Sequence, residues 1–300
     1  MRPAVTALPS VIPSGRKGRN DMSAHESKSF IADLHVHSLY SHDCDAALAD
    51  ICTAAVEKQI DLICITDHCD LYPNHQPQEI LERREQAFRG IAQAGEQDTR
   101  VEILNGVELG GSFIMPDLAQ RVIDDLPYDM IIGSVHGIMF RGERRSTSKF
   151  DFGSVDEETM LAYLDGYMDA AVCMAENMDV DVLAHLTYIF RYINGKYGKN
   201  LDWHIQQKKL ERVLSAMIQR KIALEINTSC VGSTYDVWLP NQEILEMYIQ
   251  MGGRLFTLGS DAHKPEKIGT GFADVKAFLR QKGIDSLVYY KQRKPRFYGI

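Results

Sequence analysis

Phe30-Ile31-Ala32-Asp33-Leu34-His35-Val36-His37 is an apolar, strand-like run that ends in two imidazoles. Side chains alternate along an extended backbone, so His35 and His37, two residues apart, lie on one side and can share one ion. Six further runs repeat the pattern. Leu62-Ile63-Cys64-Ile65 leads to His68, residues 101–107 to Glu108, residues 130–135 to His136, and Val182-Leu183-Ala184 to His185. Residues 222–226 lead to Asn227, and residues 255–259 to Asp261 and His263. Six of the ten histidines therefore stand at the ends of strand-like runs, where parallel strands in one sheet or barrel would bring them together. The pattern points to a metalloenzyme.

Between the runs lie stretches with helical spacing: residues 46–58, 77–94, 157–178, 200–219, 241–251 and 271–282. Strand followed by helix, repeated, predicts a parallel sheet covered by helices. Seven such units with a candidate ligand at each strand end favour a closed or nearly closed α/β barrel over an open sheet. In a barrel of this kind the active site lies at the C-terminal strand ends.

The 300 residues suit one catalytic barrel over residues 29–300, preceded by a Pro-, Gly- and Ser-containing segment, 1–28, expected to be a disordered extension. Hydrophobic residues make up 45% of the chain and charged residues 25%, and no run reaches the roughly 20 apolar residues of a membrane span. A net charge of -8 argues against a nucleic-acid partner. Six cysteines without CxxC spacing fit a reducing, cytoplasmic setting.

Several segments together resemble the PHP (polymerase and histidinol phosphatase) superfamily, histidinol-phosphatase type. They are Asp33-Leu34-His35-Val36-His37-Ser38, Thr66-Asp67-His68, Gly106-Val107-Glu108, Gly133-Ser134-Val135-His136, Ala184-His185-Leu186, Glu225-Ile226-Asn227-Thr228-Ser229 and Gly259-Ser260-Asp261-Ala262-His263. Arg293-Lys294-Pro295, within residues 291–298, also resembles the tail of this type. The resemblance implies a distorted (β/α)7 TIM-like barrel with two to three divalent ions. His35, His37, Glu108 and Asp261 would lie around one end of the ion cluster, with His68, His136, His185 and His263 completing it. In the loop after His37 both His42 and Asp43 qualify as the ligand. Asp43 is preferred, with His42 as a neighbouring acid or base and His263 also catalytic.

The chemistry has its own rationale. Nitrogen and oxygen donors without a thiolate set suit Zn, Mn or Fe(II), and such ions polarise a phosphoryl group and lower the pKa of a shared water. Asp33 and Asp67 sit beside proposed ligands, as supports for them or as loop carboxylates. Arg191 matches a family position expected to contact phosphate. The family's arginine after the Asn-Thr-Ser stretch is absent, because Cys230-Val231-Gly232 follows Ser229. The run Arg141-Gly142-Glu143-Arg144-Arg145 is read as a solvated charge run, with replacement of the missing cation as the other reading. Tyr40, Tyr72, Tyr188, Tyr192 and Tyr235 are expected around the mouth, and Cys44 and Cys69 as bystanders.

The reading is a metal-dependent phosphomonoesterase acting on a small phosphorylated substrate, first of all L-histidinol phosphate in histidine biosynthesis. The alternatives are another small phosphate ester or a nucleotide, a 3′ exonuclease, and a non-catalytic metal-binding scaffold.

Overall fold

The computed structural model describes residues 30–73 and 76–300. The expected extension over residues 1–28 lies outside the described residues. Seven parallel strands form the main sheet: β1 (Ala32–Val36), β2 (Leu62–Ile65), β4 (Glu102–Gly110), β5 (Met130–Ser134), β8 (Val182–Leu183), β9 (Ala223–Asn227) and β10 (Phe256–Gly259). Their order in the sheet is their order in the chain, the mark of a barrel wound one unit at a time. A short β3 (His68–Asp70) adds to β4, pairing His68 with Glu108.

The first and last strands meet only at their C-terminal ends, through His37 N to Ala262 O (3.0 Å) and Asp261 N to His35 O (2.8 Å). The barrel is thus nearly closed, and pinned where the candidate ligands gather. β1, β2, β5, β8, β9 and β10 are buried along their whole length, as expected when helices cover one face and the barrel interior the other.

The helices are α1 (Leu48–Glu57), α2 (Pro77–Gln97), α3 (Pro116–Asp125), α4 (Glu157–Asn177), the short α5 (Tyr188–Phe190), α6 (Gln207–Arg220), α7 (Gln242–Gln250) and α8 (Phe272–Gln281). α4 starts where the Asp156 side chain accepts Thr159 N at 2.8 Å, and α7 where Asn241 accepts Ile244 N at 3.1 Å. The sequence-derived ranges agree apart from frayed ends and residues 200–219. There the α-helix begins only at Gln207, after a 3₁₀ turn at Trp203–Gln206. α3 is an addition: Pro116 occupies its first turn and Leu118, Ala119, Val122 and Ile123 are buried. No helix among the described residues is long and apolar enough to cross a membrane.

Two hairpins complete the molecule. β6 (Gly137–Phe140) and β7 (Glu143–Ser146) rise from the strand end that carries His136. β11 (Ser286–Lys291) and β12 (Lys294–Gly299) lie at the opposite end of the barrel. There the Arg293 guanidinium meets Asp181 (3.1 Å) and Asp179 (2.9 Å), the carboxylates just before β8. Asp181 in turn accepts Ile131 N at 2.9 Å. The tail motif thus ties down the barrel floor, away from the candidate site. Arg293→Ala should lower stability by about 2 kcal/mol, because buried Asp181 loses its partner while water screens exposed Asp179. A thermal melt should fall by roughly 4 °C, with kcat and KM unchanged.

Candidate metal centre

The strand ends deliver their side chains to one place. Glu108, fully buried on β4, stands at its middle. One of its carboxylate oxygens, Oε1, lies 3.0 Å from His136 Nε2 and 2.9 Å from His185 Nε2. The other, Oε2, lies 2.6 Å from His68 Nδ1, 3.5 Å from His35 Nε2 and 3.7 Å from His37 Nε2. Asp261 Oδ1 reaches His37 Nε2 at 3.1 Å and His35 Nε2 at 3.7 Å, and the two Nε2 atoms are 3.0 Å apart. Asp43 Oδ1 sits 3.4 Å from both His68 Nε2 and His263 Nε2.

These separations suit donors that share a cation. Two ligands each about 2.1 Å from one ion lie roughly 3.4 Å apart in a tetrahedral arrangement. The sets His35-His37-Glu108, His35-His185-Asp261, His37-His68-His263 and His42-Asp43-His68 each bring their donor atoms within 4.8 Å of one another. Orphaned atoms make the same case. Glu108 Oε2, His68 Nδ1 and His185 Nδ1 are buried without a hydrogen-bond partner among the described residues, since the close His68–Glu108 approach lacks hydrogen-bond geometry. Left that way, each buried polar atom costs on the order of 1–3 kcal/mol.

The charges follow from this crowding. Burial works against ionising Glu108, but His136, His68 and His35 outweigh it and hold its carboxyl well below the usual range. Burial likewise opposes charge on His35, and Glu225, Asp261 and Glu108 together raise it well above the ordinary imidazole value. His37 is pushed down to about 3 by burial and then by the neighbouring His68. The ionised Glu108 carboxylate and the neutral His37 ring are already in the forms that ligate metals, whereas a cation would take the place of the proton on His35.

Around the donors stands a ring of supporting groups. His35 Nδ1 hydrogen-bonds Glu225 Oε1 at 2.6 Å, and Glu225 Oε2 accepts His185 N at 2.7 Å. His136 Nδ1 lies 3.2 Å from Asp70 Oδ1. His37 Nδ1 lies 3.0 Å from Ser41 Oγ, whose hydroxyl donates to Asp67 at 2.7 Å. Glycines make room for two of these carboxylates, since a Cβ on Gly259 would strike Glu225 and one on Gly110 would strike Asp70. The backbone bends to fit as well, with His185 at φ 25° and Asp261 at φ 52°, a region side-chain-bearing residues avoid.

All nine candidate ligands, His35, His37, Asp43, His68, Glu108, His136, His185, Asp261 and His263, come together. His42 is more exposed, with its ring 5.2 Å from His68 and its Nε2 3.9 Å from Asp43. Arg191 faces an adjoining cavity, its Nη1 3.5 Å from Ser229 Oγ. Asp67 braces His37 through Ser41, whereas Asp33 turns to the backbone N–H groups of Ser260 (2.9 Å) and Gly269 (2.8 Å). Asn227 Nδ2 donates both to Glu225 at 3.1 Å and to the candidate ligand Asp261 at 3.4 Å. Tyr188 and Tyr192 line the mouth, their hydroxyls 2.7 Å apart, while Tyr72 is wholly buried. Glu225 and Asp70 had no role in the sequence reading. Their signal was a carboxylate two residues from another site residue on the same strand, Asn227 and His68 respectively.

The family model for the PHP domain matches residues 33–229, which carry seven of these nine residues. The chain belongs to the PHP family. Curated relatives of this PHP protein include a probable histidinol-phosphatase of Thermotoga maritima, 26% identical over 85% of this chain and 94% of that one. The histidinol-phosphatase of Lactococcus lactis is 26% identical over 87% of this chain and 95% of its own length. A solved structure of histidinol phosphate phosphatase from the same bacterium, complexed with Zn, L-histidinol and phosphate, shares the fold. Its TM-score is 0.70 at 23% identity, covering 89% of this PHP protein and 98% of that chain.

Proposed function

We propose that this PHP protein is a metal-dependent phosphomonoesterase whose ions are held by the nine clustered residues. The observation that carries the reading is Glu108, with one oxygen turned to His136 and His185 and the other to His68, His35 and His37. A carboxylate so placed can serve two ions at once, and Asp43, between His68 and His263, offers a further position. Two to three divalent ions, Zn, Mn or Fe, fit such a donor set. When bound, they supply Lewis-acid polarisation of the phosphoryl group and activation of water.

The chain's own residues do the rest. Arg191, beside Ser229 in the adjoining cavity, offers a planar guanidinium to phosphoryl oxygens. His42 lines the larger cavity, and burial lowers its pKa despite nearby Asp43. Its neutral ring is placed to act as base or acid beside the reacting group, while His263 and Asp43 position that group. Glu225 holds the Nδ1 proton of His35, leaving Nε2 as the metal donor, and fixes the strained backbone at His185. Glu225→Gln should weaken metal affinity by roughly 10- to 100-fold, read by competition with a chromogenic chelator.

L-Histidinol phosphate is the first substrate of the reading, supported by the names and near-complete coverage of the relatives. The test is kcat/KM for phosphate release from histidinol phosphate beside sugar, glycerol and nucleoside monophosphates. A clear preference for histidinol phosphate supports the substrate. Equal or better turnover of another ester keeps the phosphatase and rejects that substrate.

A further inference from the structure

The run 141–145 does not behave as one solvated patch. Arg141 hydrogen-bonds Thr159 Oγ1 at 3.1 Å and Arg145 pairs with Glu143 at 2.6 Å, both on the outside. Arg144 goes the other way. It sits on β7, where side chains alternate, so Arg144 and Ser146 share the face that Glu143 and Arg145 do not. That face lines a cavity of about 450 Å³, which also contains His42, Asp43, His68 and His136.

Three observations mark Arg144 as built to bind something. Its guanidinium carbon lies 3.6 Å from the ring centroid of Tyr72, a wholly buried side chain that fixes its plane. Its Nε is buried without a hydrogen-bond partner, and it makes no ion pair among the described residues. Two of the acids in this cavity are engaged elsewhere, Asp70 with His136 and Asp43 with His68 and His263, while Glu79 lines its outer part without pairing with Arg144. The hairpin is also tied to the cluster itself, because Thr147 N donates to His136 O at 2.9 Å and β6 starts at the next residue.

Arg191 lines a second cavity of about 360 Å³ that shares Asp43, His68, His136 and Tyr188 with the first. The space over the cluster is therefore common to two lobes, with Arg144, Arg83 and Lys149 lining the first and Arg191, Lys264 and Lys267 the second. We propose that Arg144 binds the phosphoryl dianion of the substrate from the lobe across from Arg191, in place of the cation missing after Ser229. An aromatic-backed guanidinium with an unpartnered, buried Nε is suited to that role, since an arriving anion would satisfy that donor. The inference rests on the phosphomonoesterase reading of the same site.

The test uses R144A and R144Q of the full chain, first matched to wild type in metal content and melting temperature. Inorganic phosphate is the probe, with binding measured by calorimetry on the metal-loaded protein alongside KM for several monoesters. Affinity for inorganic phosphate should fall on the order of tenfold or more, and KM should rise by a similar factor for every ester alike. Unchanged phosphate affinity, or a KM effect confined to one ester, would overturn the proposal and place Arg144 on the alcohol instead. Failure of the phosphatase reading is separate, showing as no phosphate release by wild type from any ester.

Discussion

Glu108→Gln lowers phosphate release on the order of a thousandfold. The change keeps the side chain's size but removes the charge that balances His35, His68 and His136 around it. The amide presents one acceptor where two oxygens now face different histidines, 2.9 Å from His185 on one side and 2.6 Å from His68 on the other. Metal polarisation supplies several kcal/mol of transition-state stabilisation, and each 1.36 kcal/mol is a factor of ten in rate. Loss of the shared carboxylate should therefore cost about three decades. At least one ion per chain should also be lost in elemental analysis, with the circular-dichroism spectrum unchanged. Turnover within tenfold of wild type at full metal content would show that Glu108 does not hold the cluster together.

Stripping the ions has a second large effect, on stability. Without a cation, orphaned donors and close nitrogen pairs such as His35 Nε2 and His37 Nε2 at 3.0 Å stay buried together. A ligand at a thousand times its dissociation constant stabilises the folded form by about 4 kcal/mol. In a chain of this size that corresponds to roughly 6 °C of melting temperature. Dialysis against a chelator should lower the melting transition by that amount, and stoichiometric Zn or Mn should restore it. Magnesium should restore less, because imidazole-rich sites suit it poorly. A melt indifferent to chelation would mean that the cluster is stable empty.

The strand ends were legible because the chemistry and the fold coincide there. A parallel barrel presents its C-terminal strand ends to one face, so each His, Asp or Glu after an apolar run marks both a strand and a wall of the site. The supporting groups were harder to read. Glu225 lies inside the buried strand Ala223–Asn227, and only the three-dimensional fit against Gly259, His35 and His185 gives it a role. Asp33 and Asp67 look alike in sequence, each beside a ligand, yet one braces backbone and the other reaches His37 through Ser41.

The hairpins were hidden for a different reason. Glu143–Ser146 carries four polar side chains, so the period-two pattern that reveals a half-buried strand has no apolar partner to show it. The inward turn of Arg144 is consequently visible only once β6 pairs with β7. The resemblance of residues 291–298 to the family's tail carried no position in the fold, and Arg293 with its partners Asp179 and Asp181 sets the closing hairpin on the barrel floor.

The most direct test is to titrate metal-free protein with Zn or Mn while recording inorganic phosphate released from a monoester panel that includes L-histidinol phosphate. Release should be negligible at the start, rise with added ion and level off at two to three equivalents per chain. Phosphate release that is independent of metal, or absent when the cluster is full, would contradict a metal-dependent phosphomonoesterase.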